Sequence, residues 1–163
     1  MVRSTALVKL VPQVKRGQIT GGAVDVCCDP ISTVLDTNIV LDLFVFEDLL
    51  TEPLKRALIE KSIRWIATQA MRDELVRVLS YPQIVKSLKH HALDAPQVLA
   101  QFDSLSHIVD APLKAGVTCK DTDDQKFIDL AVAHRGTLLS KDKAVLCMKK
   151  RLVGLGVMVQ TAL

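Results

Sequence analysis

The chain predicts an α/β fold, a parallel sheet covered by helices on both faces, and three observations lead there. Short β-branched apolar runs recur along it, each followed by a stretch of helical period. The apolar share is 49% while aromatics make up only 4%, so the core must be aliphatic, which suits helices packed on a buried sheet. Third, acids fall where a strand run stops or where the next helix begins: Asp36, Glu74, Asp124 and Asp142.

A length of 163 residues fits one globular domain with a real core. The net charge of +3 and the pI near 8.7 permit a polyanionic partner without demanding one. Few aromatics exclude a surface built mainly on base stacking, which leaves backbone phosphates as the handle on any nucleic acid. Four cysteines, Cys27, Cys28, Cys119 and Cys147, are too scattered for a disulfide framework and form no CxxC pair, so reduced thiols in a cytoplasmic protein are expected. No apolar run reaches the roughly 20 residues that span a bilayer, and the N-terminus lacks a signal-peptide core, so no membrane partner is expected.

Residues 1–32 are broken by Lys15-Arg16-Gly17, Gly21-Gly22 and Asp29-Pro30, and read as a loosely ordered extension or an added edge strand. The domain proper is expected over 33–163. Thr33 to Leu35 is a strand ending at Asp36, where Thr37 and Asn38 suit a helix start, and the helix is expected to continue to Asp48. Thr51-Glu52-Pro53 opens a second helix to about Lys61, Ile63 to Ala67 is a strand, and Thr68 caps a helix from Gln69 to Leu79. Two helices split by Asp94-Ala95-Pro96 fill the middle, and the adjacent His90 and His91, about 100° apart on a helix, do not chelate one ion. His107-Ile108-Val109 is a short strand. A helix behind Asp124 buries Phe127, Ile128, Ala131 and Val132 and should end at Gly136. Thr137 to Ser140, a helix over 143–152, and Val157 to Gln160 complete the alternation.

In a parallel sheet, ligands bind beyond the carboxyl ends of the strands, where strand order reverses. All four acids should meet there. Desolvated carboxylates a few ångströms apart repel, and a hard divalent cation relieves that. An all-oxygen set with no Cys or His points to Mg²⁺ or Mn²⁺, and so to phosphodiester hydrolysis. Lys141, Lys143, Lys149, Lys150 and Arg151 would hold a nucleic-acid backbone beside the ion. Asp42 lies about four residues past Asn38 along its helix, away from the rim.

Asp36-Thr37-Asn38 after a strand, the acid in Asp73-Glu74-Leu75, Asp121-x-x-Asp124-x-x-Phe127 and Ser140-x-Asp142 come in this order over about 33–161. Together they resemble the PIN (PilT N-terminus) domain, and within it the VapC-like toxin components of toxin–antitoxin systems. The resemblance implies a three-layer α/β/α sandwich, Rossmann-like, around a five-stranded parallel sheet. It implies a ribonuclease working through a metal-activated water, with Asp36, Glu74, Asp124 and Asp142 as catalytic metal ligands and Asn38, Ser140 and Asp121 supporting them. It further implies an RNA substrate, an antitoxin partner and a homodimer. Two positions depart from the pattern: Lys141 stands where the fourth motif has a small residue, and Ala144 where it often has an acid.

Two other readings compete. A haloacid-dehalogenase-like phosphatase would use Asp36 as nucleophile, but it needs a second acid where Asn38 stands. A degenerate PIN-like module would bind RNA or a protein without cutting, yet clustered negative charge gives a polyanion-binding surface nothing.

Overall fold

The computed structural model describes residues 30–163. Residues 1–29, which hold most of the expected extension and the Cys27-Cys28 pair, lie outside the described residues. Five strands, β1 (Ile31–Leu35), β2 (Ile63–Ala67), β3 (Ser106–Ile108), β4 (Thr137–Leu139) and β5 (Met158–Gln160), form one sheet in the order β3-β2-β1-β4-β5. Every pairing is parallel. Eight helices connect them: α1 (Thr37–Phe44), α2 (Glu52–Ile59), α3 (Gln69–Leu79), α4 (Pro82–His90), α5 (Ala95–Leu105), α6 (Gln125–His134), α7 (Lys143–Cys147) and α8 (Lys149–Val153).

The chain steps outward from β1 to β2 to β3, then crosses back to lay β4 and β5 on the other side of β1. Right-handed crossovers therefore put α1–α5 on one face and α6–α8 on the other, which makes the α/β/α sandwich. Strand order reverses between β1 and β4, so that is where a crevice opens beyond the strand ends. The core is aliphatic as composition requires, with Val34, Leu138, Leu139 and Ile128 fully buried. Its one Trp, Trp65, stacks edge-on against Phe102 at 4.8 Å.

Local signals that satisfy backbone groups mark their elements well. The strand over 63–67 and the helix over 69–79 lie where the sequence places them. Asp94 caps α5 through a reciprocal pair, accepting from Gln97 N–H at 2.8 Å while the Gln97 side chain accepts from Asp94 N–H at 3.0 Å.

Other boundaries move. β1 begins at Ile31, two residues before the predicted start, because Ile31 and Ser32 pair with Ile63 and Arg64. α1 stops at Phe44 rather than Asp48, since Glu47 turns to φ 47° and Asp48 caps a 3-10 turn (Leu49–Thr51). The predicted last helix divides at Met148, whose N–H bonds back three residues to Val145. β3 is shifted by one residue, although Val109 N–H still bonds to the Ala67 carbonyl at 2.8 Å.

Gly136 does not supply the left-handed cap at the end of α6. Arg135 does, at φ 47°. Gly136 is needed for space instead, because a Cβ there would meet the Ser32 carbonyl oxygen at 2.2 Å, across the β1–β4 seam. A backbone contact cannot swing aside as a side chain can, so Gly136→Ala should cost about 2–3 kcal/mol of stability, read as a lower urea midpoint with an unchanged slope.

Candidate active site

Asp36 follows the last residue of β1 and is 4% exposed. Its N–H continues the sheet by bonding to Leu139 O at 3.0 Å. Ser140, one residue past β4 and fully buried, donates its hydroxyl to Asp36 Oδ2, and its own N–H is held by Gln160 O at 3.0 Å. Asn38 Nδ2 donates to the same Oδ2 at 2.9 Å, while Asn38 Oδ1 accepts from Lys141 N–H at 3.3 Å. Both side-chain bonds fall on one oxygen, so Oδ1 is left without a side-chain donor. Burial raises the Asp36 carboxyl above the usual range, and the Ser140 hydroxyl, the Asn38 amide groups and the Thr37 N–H pull against that rise.

Asp142 caps α7, its Oδ1 accepting from Ala144 N–H at 2.6 Å, and its own N–H reaches Ser140 Oγ at 3.0 Å. Ser140 thereby ties Asp36 and Asp142 into one hydrogen-bonded chain. Asp124 precedes α6, yet its side chain makes no cap, and Oδ2 is buried with no hydrogen-bond partner. Nearby Asp121 accepts from Asp123 N–H at 2.9 Å. Burial first, then the charges of Asp36, Asp142 and Asp121, push Asp124 up to about 7, against a downward pull from Lys126.

Glu74 reaches the same rim from α3, but its oxygens are occupied. Oε1 accepts from Thr37 Oγ1 at 2.8 Å and Oε2 is paired with the Lys126 ammonium. Among the described residues, no three His, Cys, Asp or Glu side chains are gathered into a group that could hold a metal ion as they stand. The chemistry nonetheless fits one. The orphaned Asp124 oxygen, the open Asp36 Oδ1 and the all-oxygen set suit a hard divalent cation, which would draw in carboxylates that otherwise repel.

Comparison with known proteins identifies the family. The PIN domain family matches residues 32–144, which include Asp36, Glu74, Asp124 and Asp142. The chain belongs to the PIN domain family. Members of this family are nucleases. No curated protein matches the chain. Among solved structures, a chain of VapBC2 from Rickettsia felis, crystallised bound to a DNA fragment from their promoter, shares the fold. It has 16% identity and a TM-score of 0.55, and the match covers 80% of this chain and 98% of that one.

Around the acids of this PIN domain, the five predicted basic residues separate into three environments. Lys143 and Arg151 line a cleft of about 520 Å³ beside α7, together with Lys120, which sequence reasoning missed. Lys120 had no motif to mark it, and only the loop before α6 brings it there. Lys149 and Lys150 are exposed on α8 but do not line that cleft. Lys141 is turned away from the acids of the rim, bonded to Asp42 at 2.7 Å and Asp48 at 3.2 Å. No helix among the described residues is long and apolar enough to cross a membrane. His90 and His91 are exposed, Cys119 is buried and Cys147 exposed, and neither cysteine is in a disulfide.

The raised Asp124 has a direct consequence for stability. An ordinary aspartate titrates near 3.8, so between that pH and about 7 the folded chain keeps a proton that the unfolded chain has released. Stability from this group is therefore full below the lower value and lost as pH rises through the upper one. Without divalent ions, Asp124→Asn should melt a few degrees above wild type at about pH 8, with the gap closing as pH falls towards 4, as followed by circular dichroism.

Proposed function

We propose that this PIN domain is a Mg²⁺- or Mn²⁺-dependent endoribonuclease, the toxin of a toxin–antitoxin pair. The observation that carries the reading is the buried, partnerless Asp124 oxygen facing the charges of Asp36 and Asp142 at the reversal of strand order. A folded chain that leaves a carboxylate desolvated and unpaired loses stability unless the group has a use. Asp36, Asp124 and Asp142 would hold the ion, and Glu74 borders it. Asn38 and Ser140 fix the Asp36 carboxylate by hydrogen bonds to Oδ2, which leaves Oδ1 without a side-chain donor. When bound, the ion supplies an acidified water and a positive charge against the phosphoryl oxygens.

RNA as substrate is supported by the mild basic bias and by the cleft of Lys120, Lys143 and Arg151, which adjoins Asp142 and is suited to a phosphodiester backbone. Lys149 and Lys150 add exposed positive charge on α8. Lys141 has its charge committed to Asp42 and Asp48, so it contributes to substrate binding only if RNA draws it off. The likeness to a chain of VapBC2 supports an antitoxin partner, and a homodimer working in the cytoplasm completes the reading.

Purified protein should cleave single-stranded or structured RNA in Mn²⁺ and not in excess chelator. Asp36→Asn and Asp142→Asn should fall to background. Asn38→Ala should lose about 10–100-fold in activity, because it releases the orientation of a carboxylate that remains present. Absence of metal-dependent cleavage by wild type on any RNA would leave a binding module as the better description.

A further inference from the structure

We propose that Lys126 takes Glu74 out of the cation-binding set, so that the centre holds one divalent ion on Asp36, Asp124 and Asp142, with Glu74 as a positioning residue. The inference rests on the metal-dependent reading of the same site. The family pattern supplies four acids, and four acids could hold two ions. Here one of the four is neutralised from within the chain.

The Lys126 ammonium is fixed from three sides. It pairs with Glu74 Oε2, donates to the Asp123 carbonyl, and stands 4.8 Å from the centre of the Phe127 ring. The two side chains are 24% and 14% exposed, so solvent and salt screen the pair less than a surface pair. Glu74 Oε1 is taken by the hydroxyl of Thr37, the residue that follows Asp36. Glu74 thus holds the first turn of α1 and, through it, the backbone that presents Asp36. Asp124, two residues before Lys126, stands in contrast with its Oδ2 unpartnered.

A second ion on Glu74 would have to displace a tethered cation from three partners and lie against its charge. Lys126 also lines an open cleft of about 440 Å³ together with Glu74, Arg77 and Asp73. A freed Glu74 would therefore be accessible to a cation from solvent. Tethering, not access, excludes the second ion.

Mn²⁺ binding to the full, metal-stripped chain tests this by calorimetry, with bound ion counted by electron paramagnetic resonance. Wild type should bind one Mn²⁺ per chain. Glu74→Gln, which keeps an acceptor for the Thr37 hydroxyl, should retain that stoichiometry with affinity changed by less than about threefold. Lys126→Met should bind a second ion, or bind the first at least about tenfold more tightly, while Lys126→Arg stays at one. Asp124→Asn should lose at least about tenfold in affinity. The inference is overturned if Glu74→Gln weakens binding as much as Asp124→Asn does, or if Lys126→Met binds Mn²⁺ as wild type does. No binding by folded wild type would instead remove the metal reading itself, and this inference with it.

Discussion

The structure depends on keeping one carboxylate, that of Asp36, buried and oriented at the seam between β1 and β4. Removing a charged group from water is costly unless other groups replace the lost hydration. The donors come from two parts of the sheet edge: the Ser140 hydroxyl after β4 and the Asn38 amide in α1. Each is itself anchored, Ser140 by Gln160 of β5 and Asn38 by the backbone of Lys141. Strand order matters because only adjacency of β1 and β4 brings Asp36 and Ser140, 104 residues apart in sequence, into one bond. The close approach that excludes a side chain at Gly136 belongs to the same seam.

Much of this was legible in the sequence because its determinants are local. A β-branched run stopped by an acid, a Thr or Asp at a helix start, and a Ser two residues before an Asp act through groups within a few positions of themselves. Thr68 and Asp94 mark helices that begin where the sequence places them. Features decided at long range were not legible. Gly136 reads as a helix cap, but its requirement comes from Ser32, and the cap falls on Arg135. The break at Met148 carries no Pro or Gly to announce it. Lys120 belongs to no motif and Lys126 fills an unspecified position of the third, and their places at the site appear only when the loop before α6 and the first turn of α6 are folded.

Lys141 shows how charge competition settles a question that spacing leaves open. Set beside the fourth motif's acid, it could weaken a cation or contact a phosphate. Asp42 and Asp48 draw it the other way, and those two acids hold the Lys141 ammonium above its ordinary pKa, first through the Asp42 bond. Asp42 lies one turn further along α1 than Asn38, away from the rim. That displacement is what lets it hold the ammonium clear of Asp36 and Asp124. An exposed pair of this kind adds little stability, so its consequence lies in where it keeps the charge.

The acids of the rim are therefore equivalent in the motif but not in the field. Asp36 is buried and supplied with donors on one oxygen, Asp142 spends one oxygen on the cap of α7, and Glu74 is neutralised by Lys126. Asp124 has neither cap nor cation on its buried oxygen, and it responds most strongly to its neighbours' charges. A divalent ion gains most free energy where negative charge is least compensated, since there it displaces no internal partner. By that criterion the proposed ion would be drawn most strongly to Asp124 and Asp36, while Glu74 holds the hydroxyl of Thr37 at the start of α1. The same motif with an uncharged residue at the Lys126 position would have a different electrostatic centre, although every acid were unchanged.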